Sequence, residues 1–406
     1  MTVRTPRVLL PAGVPDRCRA VLESAAKQHR LGLIGDLDAL EARFAVAIRA
    51  AARHDVELLC AVKASTRAEV LALATAHGLG LDIANAREFA HARAAAAGAQ
   101  MTVSLTSPAL PTCERSALFA AFRTGEISRW HCDSLPQLAE LTSACPGTEV
   151  GIRVNLDGLN IPTGMPLWQP SRFGIRLHEL GAANRIAIAN GCRLTWLHTH
   201  NASEANDTAS FVFAARELVA AARTHGLELR TIDIGGGLLS DPTPEALADL
   251  FGAVRTAAGP EVGLVLEPGR FWLTDCISLV TQVLEVKHTA THAYLVLDMG
   301  TMNHLQWSDY LRIPVLRRLG GVDGDPDRLW RVCGRSCFEE DWLDEAEVVP
   351  VSDDAPLPEP GDYLVLGNVT GYSVELACDF NGVERAPLEF VRTRNARDVV
   401  RRPGVR

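Results

Sequence analysis

VELLCAVKAST, residues 56–66, runs almost unbroken through apolar residues and then meets a lysine. An apolar run of this length, closed by small polar residues, is the pattern of a strand buried on both faces, as in a parallel sheet. Seven similar runs follow: GLDIA (80–84), MTVSLT (101–106), ISRWHCD (127–133), EVGIRVNL (149–156), RLTWLHTH (193–200), LRTIDIG (229–235) and GLVLEPG (263–269). Longer segments with helical spacing separate them. From Asn206 to His225, for example, Phe211, Ala214, Ala215, Leu218, Val219 and Ala222 fall on one stripe. Eight βα units predict a closed (β/α)8 barrel, the TIM-barrel architecture.

Upstream, DLDALEARFAVAIRAAAR (36–53) reads as a helix leading into the barrel, with Asp36 as its N-cap. After Arg270 the rhythm changes. CISLVTQVLEVKH, HAYLVLDM, RLWRVCG, AEVVPV and GDYLVLGN are strand-like runs separated by Gly, Pro and Asp, which predicts a second, β-rich domain of sandwich or barrel-like form. Strand candidates at Val8 to Leu10 and Leu31 to Ile34 are assigned to it, so the expected domains are 36–272 for the barrel and 1–35 with 273–406 for the β-rich domain.

The 406-residue chain is 47% hydrophobic and carries a net charge of −9, which offers no positive field to a phosphate backbone and argues against nucleic-acid binding. No segment approaches the ~20 apolar residues of a membrane span, and no signal-type leader is evident, so a cytoplasmic protein without membrane contact is expected. Ten cysteines lie scattered without a CxxC pair, and no His/Cys cluster has zinc-like spacing. Reduced thiols and no metal are the expectation.

Active sites of such barrels lie at the C-terminal ends of the strands. Lys63 ends the first run. Of forty Lys and Arg residues only three are lysines, so a lysine here is a choice; a snorkelling surface amine is the plain alternative. Only an amine that can lose its proton forms a Schiff base, which guanidinium cannot do. The sixth run ends in His198 and His200, which read as hydrogen-bonded residues or half of a metal site lacking a third ligand. Gly235, Gly236 and Gly237 follow the seventh run, where successive backbone N–H groups can approach an anion closely. EPGR ends the eighth with a carboxylate, Glu267, and a guanidinium, Arg270. A ligand with an aldehyde, a phosphate, a flat ring and a basic ring nitrogen suits this set, and pyridoxal 5′-phosphate has all four. A carboxylate at its pyridine nitrogen makes the ring an electron sink.

In that light the chain resembles the fold-type III pyridoxal-phosphate decarboxylases, the diaminopimelate/ornithine decarboxylase superfamily, from Gly35 to Gly382. AVKAS, DIANARE, CDSLPQL, RVN, SRFGI, HTHNAS, DIGGGL, EPGR, CGRSC and GYSVELACDFNG occur in the family's order. The resemblance implies that Lys63 bonds the cofactor aldehyde, that His200 stacks on the ring and that Glu267 meets the ring nitrogen. It implies a phosphate site made by Ser203, Gly235, Gly236, Gly237, Gly269, Arg270 and Tyr372, with Asp82, Glu88 and Arg153 in support. Cys337 matches the cysteine that returns a proton after CO2 leaves, delivered from the partner subunit of a head-to-tail homodimer.

Departures from the pattern concern the amino acid substrate. The family follows that cysteine with an acid that grips a distal amine, whereas here Phe338 follows, then Glu339, Glu340 and Asp341, from which a loop shift would restore a carboxylate. Trp307 stands near the position of an arginine for a distal carboxylate. With Trp307, Phe338 and Glu339 facing the substrate, the expectation is α-decarboxylation of an amino acid or conjugate with a less charged tail, of the kind found in specialised metabolism, by an atypical subgroup. The alternatives are an amino-acid racemase of the same fold type, against which Glu267 counts because racemases place an arginine there, and a non-catalytic pyridoxal-phosphate-binding protein, which would lack the β-rich domain.

Overall fold

The computed structural model describes residues 5–392 apart from residues 13, 15, 29–30, 97, 99, 158, 160–169, 201–207, 239–241, 290–291, 309–310, 315–328 and 344–356. The chain divides into two compact units, residues 1–41 with 273–406 and residues 42–272.

It begins with β1 (Val8–Leu9), α1 (Asp16–Lys27), β2 (Gly32–Asp36) and α2 (Leu37–Ala52). The cap read from the sequence at Asp36 is present. Its Oδ1 accepts the backbone N–H groups of Asp38 at 2.9 Å and Ala39 at 3.2 Å, which satisfies two donors that the first helical turn leaves without partners.

The second unit alternates strands and helices: β3 (Val56–Ala61), α3 (Ala68–Ala76), β4 (Gly80–Ile83), α4 (Ala86–Ala96), β5 (Val103–Ser107), α5 (Thr112–Arg123), β6 (Arg129–Cys132), α6 (Leu135–Ala144), β7 (Glu149–Asn155), β8 (Ile175–Arg176), α7 (Leu180–Ala189), β9 (Arg193–His198), α8 (Thr208–Thr224), β10 (Thr231–Asp233), α9 (Pro244–Ala258), β11 (Gly263–Leu266) and α10 (Arg270–Leu273). The strand order β6-β5-β4-β3-β11-β10-β9-β7 is parallel throughout, and pairing of β6 with β7 closes eight strands into a barrel, with the two-residue β8 added outside β7. Local chemistry marks the helix ends. The Thr243 hydroxyl accepts from Ala246 N–H ahead of Pro244, and Gly259 at φ +84° ends the same helix. The α8 stripe is buried at all six expected positions, while Asn206 lies outside the described residues.

Two strand ends differ from the sequence reading. β3 stops at Ala61, so Lys63 sits in a single 3-10 turn, Val62–Ala64. β9 stops at His198, which leaves His200 beyond the strand.

The other unit is completed by β12 (Ile277–His288), β13 (His292–Leu297), α11 (Thr301–His304), β14 (Leu329–Cys333), β15 (Tyr363–Gly367), α12 (Gly371–Glu375) and β16 (Leu388–Val391). Its sheet runs β1-β15-β12-β13-β14, with β2 on β12 and β16 on β2. The long β12 pairs with β2 and β15 through its first half and with β13 through its second, changing register between Val283 and Glu285. Leu22 and Ala26 of α1 pack on Val280, Tyr363 and Val365 to form a core. The run AEVVPV lies outside the described residues; β16 and the short α11 and α12 carry no period long enough to be read from sequence. Among the described residues no helix is long and apolar enough to cross a membrane.

Replacing Asp36 with Ala removes both cap bonds, and the stability of the protein to unfolding is expected to fall by ~1 kcal/mol. A lower denaturant midpoint in Asp36→Ala tests this; an unchanged midpoint would mean that water caps the helix equally well.

Candidate active site

The mouth of the barrel gathers most of the residues singled out in the sequence. Lys63 is flanked by buried Val62 and Ala64, and its own side chain is 43% exposed, with Nζ 3.5 Å from Oδ2 of Asp82. Lys27 and Lys287 are exposed as well, so exposure does not separate the three lysines. Position does: Lys63 faces a carboxylate at the end of β4 whose side chain is only 5% exposed.

Strand register aligns the next layer. His198 stands opposite both Arg153 and Asp233 in the ladder. The Nε2 of His198 lies 3.3 Å from Oε2 of Glu267, and both side chains are buried. An ionised carboxylate only accepts, so Nε2 carries the hydrogen. Burial lowers the His198 pKa against the pull of Glu267, which keeps this ring neutral. Its other face meets His131 with ring centroids 5.2 Å apart; His131 in turn contacts Thr106 Oγ1 at 3.1 Å and fits because residue 151 is glycine.

Three buried acids share this interior, and their environments differ. Burial, then the Glu267 charge, raises Asp233, which also accepts Gly235 N–H at 2.9 Å. Burial and Glu267 likewise raise Asp82, with Lys63 pulling the other way. Burial works to raise Glu267 too, but His198, Lys63 and Asp233 outweigh it and hold Glu267 below the usual carboxylate range. Glu267 is therefore the acid of the set held toward ionisation, while Asp82 and Asp233 are pushed the other way, toward the protonated form. His198, Asp233 and Glu267 also form the one metal-compatible cluster found among the described residues, their ligand atoms lying within 4.8 Å of one another. A histidine already hydrogen-bonded to one acid, beside a second acid that burial pushes toward its protonated form, describes a hydrogen-bonded group better than a metal centre.

His200 is half-buried, and its Nδ1 accepts the Gly236 N–H at 3.2 Å. Burial first, then the Lys63 and Arg153 charges, pushes its pKa down to about 3. The guanidinium of Arg153 donates to the His200 carbonyl at 3.3 Å, approaches Asp133 at 3.6 Å and stacks over the Phe173 ring at 4.3 Å. The glycine turn is built by close approach: a Cβ at Gly235 would meet His200 atoms at 2.7 Å, and one at Gly236 would meet the Glu267 carbonyl oxygen at 2.6 Å. Gly235 and Gly237 also have φ of +71° and +102°, a region that favours glycine. Gly269 is buried where β11 gives way to α10, and Arg270 opens that helix. Glu88 has a local role: it accepts Ala84 N–H at 2.8 Å and completes the capping of α4 with Asn85. Ser203 lies outside the described residues.

The remaining candidates belong to the β-rich unit. Cys337 is exposed, and its N–H donates to Oδ1 of Asn381. Its turn is organised by Asp341, which is 4% exposed and was read from the sequence as a substitute carboxylate. One Asp341 oxygen accepts Thr301 N–H at 2.6 Å and Thr301 Oγ1 at 2.8 Å; the other accepts Ser336 N–H at 3.0 Å. Both oxygens are therefore committed. Phe338, Glu339 and Glu340 are exposed. Trp307 is 58% exposed and meets Tyr372 edge to face at 5.4 Å.

The barrel residues suit pyridoxal phosphate on this structure's own terms. Glu267 is a buried carboxylate held toward ionisation whose Oε1 meets no N–H donor, which suits a protonated ring nitrogen. Lys63 supplies the amine, and the side-chain-free Gly235–Gly237 turn lets a phosphate approach the backbone closely, with the Gly235 and Gly236 N–H groups donated to Asp233 and His200. Sequence reasoning passed over His198 as half of an incomplete metal pair and gave no part to Asp233 or His131. A signal was present for the first two, since His198 and Asp233 end adjacent strands next to the strand that leads to Glu267.

The family model described as "Pyridoxal-dependent decarboxylase, pyridoxal binding domain" matches residues 37–274. A diaminopimelate decarboxylase of Actinosynnema pretiosum is 28% identical over 86% of this chain and 81% of its own. A lysine/ornithine decarboxylase of Selenomonas ruminantium is 25% identical over 87% and 88%. The fold matches the crystal structure of lysine decarboxylase from Selenomonas ruminantium with a TM-score of 0.72 at 21% identity, covering 94% of this chain and 97% of the other.

Gly236→Ala places a methyl against the Glu267 carbonyl, an overpacking worth ~1–3 kcal/mol. It is expected to lower the melting temperature and the visible absorbance of bound cofactor together; full cofactor binding by this variant would show that the turn yields. The glycine turn lies within the family match, which spans more than half of the residues, and the chain accordingly belongs to the pyridoxal-dependent decarboxylase family, as a pyridoxal-phosphate-dependent amino acid decarboxylase.

Proposed function

We propose that this enzyme decarboxylates an amino acid, or an amino acid conjugate of specialised metabolism, whose distal end carries less charge than that of diaminopimelate or ornithine. The observation behind this reading is the commitment of Asp341. Phe338 occupies the position where the resembling family carries its tail-gripping acid, and the one nearby carboxylate that is buried already holds three donors. Exposed Phe338 and Trp307 offer apolar and aromatic surface instead. Glu339 and Glu340 are solvated, and a solvated carboxylate selects weakly for an amine.

In this reading Lys63 bonds the cofactor aldehyde, Glu267 meets the ring nitrogen, and neutral His200 lies against the ring. Asp82 and Arg153 hold Lys63 and His200 in place. Gly235, Gly236, Gly237, Gly269 and Arg270, with Ser203 and Tyr372, hold the phosphate. Bound pyridoxal phosphate supplies an electron sink for the pair released when the Cα–carboxylate bond breaks. Cys337, exposed and carried on a turn pinned by Asp341, then donates a proton to Cα. Its placement in the family pattern supports a homodimer in which each subunit's Cys337 serves its partner.

CO2 release with added pyridoxal phosphate, measured over L- and D-amino acids and followed by analysis of the remaining substrate's enantiomers, tests the proposal. A neutral or weakly charged amino acid is expected to react faster than diaminopimelate, ornithine or lysine; preference for any of these three would overturn the substrate reading, and racemised substrate without CO2 would overturn decarboxylation. Lys63→Ala should lose the visible absorbance of the lysine-bound cofactor. Cys337→Ala should keep that absorbance yet form product slowly or with errors, and normal turnover by this variant would remove Cys337 from the reaction.

A further inference from the structure

We propose that His198 is a positioning residue for Glu267: its Nε2–H fixes one carboxylate oxygen and so presents the other to the ring nitrogen of the cofactor. This rests on the reading of Glu267 as the ring-nitrogen partner. Three observations carry it. The 3.3 Å contact joins side chains that are 2% and 3% exposed, where a donor to an ionised group is worth far more than at a surface. Glu267 Oε2 is engaged by His198 while Oε1 meets no N–H donor, and the neighbouring Asp233 carboxyl is the other side chain that shares the carboxylate with His198.

The third observation is an asymmetry in His198 itself. Its Nδ1 is buried without a hydrogen-bond partner, although a histidine kept only for packing or fold stability would be expected to satisfy both ring nitrogens. His131 covers one face, Arg153 and Asp233 stand opposite it in the two adjoining strands, and Asp233 Oδ1 is occupied by Gly235 N–H. A neutral His198 supports the same arrangement, because an imidazolium would form a closed ion pair with Glu267 and compete with the ring nitrogen for its charge.

The test uses full-length holoenzyme reconstituted with pyridoxal phosphate labelled with 15N at the ring, read by NMR together with the cofactor dissociation constant. Glu267→Gln serves as the reference. If that variant leaves the ring-nitrogen resonance unmoved, the reading of Glu267 fails, and the His198 proposal falls with it. If it moves the resonance, His198→Asn and His198→Gln decide. The Gln amide reaches about as far as Nε2, whereas the Asn amide ends near Nδ1 and falls short of Glu267. His198→Asn is expected to shift the resonance toward that of Glu267→Gln and to weaken cofactor binding by about tenfold or more, while His198→Gln stays near wild type. Both variants unchanged, or both displaced alike while melting as the wild type does, would overturn the proposal and leave the Glu267 assignment standing.

Discussion

A carboxylate with 3% of its surface exposed, Glu267, is the group around which the barrel mouth is arranged. Taking an ion of this size out of water costs several kcal/mol, so the fold must surround it with donors and positive charge or let it take up a proton. Here it does the former. His198 donates to it, and the charge of Lys63 acts on it. The neighbouring acids are pushed the other way: burial and the Glu267 charge raise Asp82 and Asp233 in the same interior. Three buried acids are thus driven in unlike directions within one interior, with the part-exposed Lys63 at its mouth. Pairs of acids driven apart in this way are a familiar preparation for chemistry.

That arrangement depends on backbone as much as on charge. Glu267 N–H donates to the Gly235 carbonyl at 2.8 Å, and the Glu267 carbonyl leaves no space for a Cβ on Gly236. The turn after β10 and the chain leaving β11 are in direct main-chain contact, which fixes the distance between the carboxylate and the glycine N–H groups. His200 adds a second tie through Gly236 N–H. A pocket built on such contacts tolerates little drift, since moving the turn moves the acid.

Much of this was legible in the sequence, and what was not has physical reasons. Eight apolar runs separated by helical spacing report burial on both faces, and that suffices for the barrel. A rare lysine after the first run pointed to chemistry because Arg serves elsewhere as the surface cation. Strand ends were legible only to within about two residues, and here two residues matter: Lys63 lies in a turn and His200 lies past its strand. His198 and His200 look alike in LHTHNAS, yet one faces a buried acid and the other a backbone N–H. No spacing rule distinguishes them, because the difference lies in which neighbouring strand each ring meets. The β-rich unit was less legible still, since β16 has four residues and α11 and α12 are a single turn or little more.

Glu339, Glu340 and Asp341 show the same limit where it bears on substrate. Three consecutive acids look interchangeable in a sequence, and any of them could stand in for the acid that Phe338 displaces. Burial separates them. Asp341 N–H returns to the Phe338 carbonyl, while its carboxylate reaches Ser336 and Thr301, and Gly334 leaves room for it where a Cβ would stand 2.2 Å from its oxygen. Asp341 therefore shapes the turn that carries Cys337 and cannot also grip a substrate amine without releasing that turn. Glu339 and Glu340 remain in water, where attraction for an amine is weak. In this turn the residue that holds Cys337 and the residue that would read a charged tail are different, so the second can change to phenylalanine while the first stays in place.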